Sequence, residues 1–309
     1  MNTGGALNAR MMILSAAVLW SLGGVGIKYC QFGAWQLAGL RSGIAGLALL
    51  CFLPASRQRP SIRTLGVGLS LALTMVLFVW ANKMTTAANT IFLQGSYPLW
   101  ILLLSPFLLG EAVRRRDAMM TAVFAAGLTL CFLSPEQATA LSPNIQLGNI
   151  LAVTSGMFFA FTIMGFRALR RNGVEGAAVQ GNFIGFALCL PMMIFSDGAL
   201  KFTMGEPGDW VVLALLGVFQ VGLAYVAFVR GIKKMRAMEA SLIGVIEPVL
   251  NPIWVFLVFR QERPGLLAVA GGCLIVVATV FQIIRGNSKR RAEPGGGGIE
   301  SDAAAVADD

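Results

Sequence analysis

Ten separate runs of about 20 apolar residues divide this chain, at roughly 11–29, 33–53, 64–82, 89–109, 118–134, 146–166, 175–196, 210–230, 238–259 and 265–285. Each is long enough to cross a hydrocarbon core of about 30 Å as a helix. Inside lipid no water is at hand for the backbone, so a spanning segment must satisfy its own N–H and C=O groups. The runs are continuous and not alternating, which predicts helices. The expected fold is therefore an all-α membrane protein with ten transmembrane helices. Composition agrees: 56% of the 309 residues are apolar, 13% are charged and the mean hydropathy is +0.73. That leaves too little polar side chain to cover a water-facing globule.

The net charge of +9 would suggest nucleic acid in a soluble protein. Here the basic residues fall in short clusters between apolar runs, with no nucleic-acid motif, and nucleic acid is not an expected partner. Counted over alternate connections, 18 Lys and Arg gather on one side and five on the other, with Arg41 left inside a span. The excess marks the cytoplasmic side, so both termini of an inner-membrane, multi-pass protein are expected there. The run from Met11 to Ile27 lacks the basic leader and cleavage site of a signal peptide and counts as the first span. After Arg285 the composition turns to Gly, Ala, Ser and charge, which predicts a disordered cytoplasmic tail over 286–309. The five cysteines are scattered without metal-ligand spacing and histidine is absent. No metal or other cofactor is expected, and the cysteines read as packing residues.

The chain repeats itself weakly. Lys83-Met84 is echoed by Lys234-Met235, Pro98 by Pro248, Glu111 by Glu262, and Trp20 and Lys28 by Phe159 and Arg167. Residues 11–134 and 146–285 thus form two copies of five spans each, after a short N-terminus at 1–10. Five is odd, so the second copy enters the membrane inverted. Inverted repeats are common in secondary transporters, whose solute sits near the midplane between the halves.

Trp20 and Lys28 in span one, Arg41 in span two, the Pro98…Glu111 unit and the Glu247-Pro248…Glu262 unit resemble the EamA-type branch of the drug/metabolite transporter superfamily. The resemblance covers about residues 11–285. It implies a basket-like bundle whose central cavity is lined by spans one, three, four, six, eight and nine, and export of amino acids or related metabolites. The fourth span ends in Gly110-Glu111, as the family pattern expects. The ninth ends in Gln261-Glu262, without the glycine.

Glu247, near the middle of span nine, is the clearest candidate for function, because an ionised carboxylate there costs about 2.5–3.5 kcal/mol on insertion scales. It fits a proton or cation site, a contact to a solute amine, or a packing carboxyl. Pro98 and Pro248 lack a backbone N–H and deprive the carbonyls of Gln94 and Gly244 of their helical donors. Paired helix breaks suit either a midplane site or a packing kink. At helical spacing Ser241, Gly244, Glu247, Asn251 and Trp254 form one polar stripe, and Thr90, Gln94, Tyr97 and Ile101 another. Both should face the protein interior, lining either a wet cavity or a dry interface.

Trp20, Trp100 and Trp254 lie near mid-span, where a flat ring can either fill the core or stack on a ring or a cation, and Gln220 and Tyr225 are weaker lining candidates. Trp80 and Trp210 read as interfacial anchors. Arg41 reads as a structural charge, with pairing, solute binding and snorkelling all open. The neighbouring Gly39 and Gly43, like Gly181 and Gly185, suit close helix packing. The expected partners are membrane lipid and a small solute, and a homodimer is compatible with the chain. A membrane enzyme would need paired acids or an activated nucleophile, and an assembly protein a folded domain outside the bilayer. Neither is legible. Nor is ATP drive, for want of a phosphate-binding loop.

Overall fold

The computed structural model describes residues 3–57, 59–97, 99–101, 103–104, 115–135, 138–169, 172–195, 202–232, 244, 246–260 and 264–291. Among them the regular structure is helical, apart from one isolated antiparallel bridge between Thr139 and Ser142. The sequence readings placed on Pro98, Glu111, Ser241 and Glu262 lie outside the described residues.

The first span is split: α1 (Thr3–Ser21) and α2 (Gly23–Tyr29) meet at Leu22. Then come α3 (Ala34–Phe52), α4 (Ile62–Met84), α5 (Ala87–Gln94), α6 (Arg115–Phe132), α7 (Ile145–Ala168) and α8 (Val174–Phe195). The next span is a composite of α9 (Pro207–Leu215), a π-helix over Leu216–Leu223, and α10 (Ala224–Ile232). α11 (Ile246–Val258) and α12 (Leu266–Arg291) complete the chain. Local chemistry sets several starts. Ser61 Oγ accepts from Thr64 N at 3.2 Å while Thr64 Oγ1 accepts from Ser61 N at 3.0 Å, a reciprocal cap on α4. Thr86 Oγ1 caps α5 through Asn89 N at 3.2 Å. Pro207 at the first turn of α9 gives up an N–H that would have no partner there.

Among the described residues six helical segments are long and apolar enough to cross a membrane, and α11 and the apolar part of α12 are shorter apolar helices. The chain is a multi-pass membrane protein. α4 packs on α7 and α8, α3 on α8 and the π-helix, α1 on α10 and α11, α5 on α7 and α11, and α6 on α12.

Small residues let these helices touch backbone to backbone, which is how bundles gain packing where the hydrophobic effect is weak. Gly39 lies against Cys189 and Met193, and Gly43 against Phe186, so α3 and α8 interlock as the glycine pattern suggested. Backbone comes nearest to backbone between α6 and α12: among the described glycines, a Cβ on Gly271 would stand 2.4 Å from the Gly127 carbonyl oxygen. Backbone cannot retreat as a flexible side chain can. Gly271→Val should therefore cost about 1–3 kcal/mol or more, read as a lower melting temperature of the purified protein in detergent. Gly66→Ala faces open space and should leave that temperature unchanged.

Candidate functional site

The break at Leu22 has a local cause. Gly23 and Gly24 are poor helix formers, and Ser21 Oγ turns back on the Val18 carbonyl at 2.7 Å. Leu22 N reaches only the Leu19 carbonyl, at 3.3 Å, a tighter turn than the helix on either side. Polar side chains from two other spans clasp this break. Gln220 Nε2 donates to the Trp20 carbonyl at 3.3 Å, and Trp254 Nε1 donates to Ser21 Oγ at 3.0 Å. Gly23 and Gly24 make room for the clasp, since a Cβ on Gly23 would meet Gln220 Nε2 at 2.8 Å and one on Gly24 would meet Asn251 Oδ1 at 2.3 Å. Trp20 is held edge-on by Tyr225, 5.3 Å between ring centres, with Phe228 at 5.2 Å.

Gln220 owes its position to the π-helix that carries it. The wider turn brings Gly217 and Gly222, five residues apart, into line, and each sits where a Cβ would strike α3: at 2.6 Å from Ile44 for Gly217 and 2.9 Å from Ala48 for Gly222. π-helical turns inside α-helices often mark functional positions. On its other side Gln220 Oε1 accepts from Arg41 Nη1 at 3.3 Å.

A second clasp closes on α7. Gln94 Nε2 donates to Ser155 Oγ at 2.8 Å, and Ser155 Oγ donates to the Thr74 carbonyl at 3.0 Å. The Gln94 carbonyl, which Pro98 deprives of a helical donor, lies against Gly156, where a Cβ would come within 2.7 Å of it. After Gln94 the chain tightens, with Ser96 N on the Leu93 carbonyl at 3.1 Å and Leu99 N on the Ser96 carbonyl at 2.9 Å. Tyr97 meets Phe159 edge to face at 5.1 Å.

Several of the residues singled out from sequence meet at these clasps. Trp20, Gln94, Tyr97, Glu247 and Trp254 are half-buried, whereas Gln220, Tyr225 and Asn251 are buried. Glu247 is within charge-interaction range of Tyr97 and Tyr225, so α11 brings its carboxylate toward residues of two other spans. At Gly244, one turn before Pro248, a Cβ would meet none of the described residues within 4 Å. Thr90 instead turns its hydroxyl onto its own helix at the Thr86 carbonyl, 3.0 Å away. The Trp100 indole N–H is buried without a partner. Trp80 packs on Trp35 at 4.5 Å, and Trp210, 40% exposed, donates to the Met204 carbonyl at 2.6 Å, the behaviour of a residue at a span end.

Asn251 stands apart from the other buried asparagines on these helices. Asn82 and Asn182 fold back to donate to Phe78 and Ala178 one turn earlier, at 3.1 and 2.9 Å. Asn251 is fully buried with neither its amide oxygen nor its nitrogen bonded. Pro252, one residue on, was not part of the sequence reading, and it leaves the Pro248 carbonyl without a helical donor as Pro248 leaves that of Gly244.

The end of the bundle where α2 and α4 stop is sealed. Lys28, 4% exposed, donates to the Thr85 carbonyl and to Ser142 Oγ, both at 2.8 Å, and to the Leu141 carbonyl. Lys83 donates to the Cys30 carbonyl. Gln31 N and Glu206 N donate to the Asp209 carboxylate at 2.8 and 3.0 Å, and Gln36 exchanges two bonds with Thr203. Burial pushes the Cys30 thiol above its ordinary range, which suits an inert packing residue. Lys28→Met would leave buried acceptors unpaired, at about 1–3 kcal/mol each. Hydrogen exchange should then show faster labelling of residues 139–144, with α8 unchanged.

The chain matches the EamA-like transporter family twice, over residues 7–133 and 146–284. It is 24% identical over 270 residues to an uncharacterized transporter of Archaeoglobus fulgidus, covering 87% of this chain and 94% of that one. It is 27% identical to the pseudopaline exporter CntI of Pseudomonas aeruginosa over 68% of this chain and 70% of that one. For the aromatic amino acid exporter YddG of Ancylobacter novellus the identity is 24%, over 78% and 82%. A solved crystal structure of 19% identity shares the fold, with a TM-score of 0.61 over 92% of this chain and 99% of that one. With both halves matched, this chain belongs to the EamA-like transporter family.

Proposed function

We propose that this transporter exports amino-acid-like or other small metabolites across the inner membrane by alternating access between two inverted five-helix halves, with both termini in the cytoplasm. The observation that carries this reading is the pair of clasped helix breaks in an apolar bundle that also half-buries the Glu247 carboxylate, within charge-interaction range of Tyr97 and Tyr225. Such breaks are tolerated in lipid where they are buried in protein or line a cavity. Interrupted helices facing each other near the middle of a bundle are how many transporters build a solute site.

The packing supports two exchangeable halves. Numbering the spans in order, three meets six as eight meets one, three meets seven as eight meets two, and four meets six as nine meets one. Spans two and seven, four and nine, and five and ten meet their own counterparts. The double match to one family supports it as well. Two relatives carry exporter names, one for pseudopaline and one for aromatic amino acids, and export of a small metabolite follows from that likeness. A second reading, ion-coupled efflux of organic cations, is favoured by Glu247 lying within charge-interaction range of Tyr97 and Tyr225, because aromatic faces and a carboxylate suit a cation.

Both readings give Glu247 the coupling role, as carrier of a proton or other cation. Glu247→Gln keeps the shape and a hydrogen-bonding group but cannot carry the charge. In liposomes this variant should lose gradient-driven accumulation while still exchanging solute down its own gradient. Full driven uptake would instead reduce Glu247 to a packing carboxyl. Orientation is tested separately: cysteines placed at 138–140 and 202–206 should react with an impermeant thiol reagent from outside intact cells, and reversed labelling would overturn the charge count.

A further inference from the structure

Arg41 lies in the middle of α3 with 1% of its surface exposed, so its head neither snorkels to the headgroups nor meets water. A guanidinium carries five N–H donors and is charged at any physiological pH. Here its acceptors are all neutral and all distant: Gln220 Oε1 at 3.3 Å from Nη1, and the Met75 carbonyl at 3.5 Å and thioether at 3.6 Å from Nη2. Nε has no partner. Charge-assisted bonds to a carboxylate run about 2.7–2.9 Å, and among the described residues no carboxylate pairs with Arg41. A buried charge without a counter-charge is costly, and along one edge of this fork, Nε with Nη2, the hydrogen-bond acceptors among the described residues all belong to Met75.

We propose that this edge of Arg41 binds the carboxylate of a small organic acid, and that Met75 is its removable cover. The geometry fits bidentate recognition, because Nε and Nη2 present two parallel donors to two carboxylate oxygens. Met75 is half-buried and its side chain is unbranched and adaptable, so it can swing aside without disturbing α4. Gln220 holds the opposite side of the guanidinium and fixes its plane. Tyr225 is within charge-interaction range of both Arg41 and Glu247, which sets the carboxylate site beside the acidic one without joining them in an ion pair. The same Gln220 clasps the Trp20 carbonyl at the break of the first span. Occupancy of Arg41 is thereby felt where α1 and α2 meet. The proposal takes the solute path from the transport reading above, but the site is tested by binding alone.

The test is the melting temperature of the purified full-length protein, titrated with sodium benzoate and sodium acetate against sodium chloride at equal ionic strength. Benzoate and acetate should raise it in a saturable way while chloride does not. Arg41→Lys, which keeps the charge but loses the fork, should weaken benzoate about tenfold, and Arg41→Gln should abolish the shift. Met75→Ala, which removes the cover and leaves the charge intact, should tighten benzoate. It serves where Arg41→Gln does not fold. Equal shifts from benzoate and chloride, no benzoate shift in either the native protein or Met75→Ala, or an undiminished shift in Arg41→Gln would each overturn the site. Benzoate binding with no flux of any carboxylate solute in liposomes would uphold the site and overturn the transport reading.

Discussion

Lipid offers the backbone no hydrogen bonds, and every interruption of a helix inside it has to be satisfied by protein. This constraint organises the structure. At the break between α1 and α2, Gln220 takes the Trp20 carbonyl and Trp254 takes the Ser21 hydroxyl. The glycines that weaken the helix are also the ones that let those side chains approach. The π-helix of the eighth span exists in the same sense: it turns Gln220 toward both the break and Arg41. Remove the break and none of these residues has a reason to be polar.

The two clasps differ in quality. The Ser155 hydroxyl is matched on both sides, by Gln94 and by the Thr74 carbonyl, and among the described residues only the Ser96 hydroxyl against Gly156 is buried without a partner there. Around Leu22 the bonds are at or above 3.0 Å, and Asn251 is left with both amide atoms unpaired against Gly24. An unsatisfied buried polar group costs about 1–3 kcal/mol. Contact between the first and ninth spans therefore carries the larger penalty, two amide atoms against the one hydroxyl of Ser96, and separation would relieve it. In the account proposed here the first span is the one that moves, and the sealed end around Lys28 has to open with it.

Much of this was legible in the sequence because lipid enforces simple rules. Runs of apolar length marked where helices lie, and the described helices fall on them. The polar stripe of Glu247, Asn251 and Trp254 pointed inward because polar groups facing lipid are penalised, and Gln220 and Tyr225 were on the same list. What was not legible came from contacts distant in sequence. Ser21 and Ser155 look like ordinary small residues until a partner from another span reaches them. The π-helix has only a faint signal, Gly217 and Gly222 at a spacing of five in place of three or four. Lys28 read as one of the marks of the first span, and its role as a buried donor depends on how the 139–142 turn folds over it. Arg41 read as a structural charge, and only its lack of any acidic neighbour among the described residues changes that reading.

The most direct test of the moving first span is to tie it to the ninth. In a functional variant with Cys30, Cys51, Cys131, Cys189 and Cys273 replaced, the pair Gly24→Cys and Asn251→Cys can be joined, since the smaller side chain at 251 makes room for the new Cβ at 24. Solute exchange in liposomes is then measured before oxidation, after it, and after reduction. The account predicts that exchange stops on oxidation and returns on reduction, while Asn251→Cys alone is unaffected by either treatment. Undiminished exchange with the 24–251 link in place would contradict it.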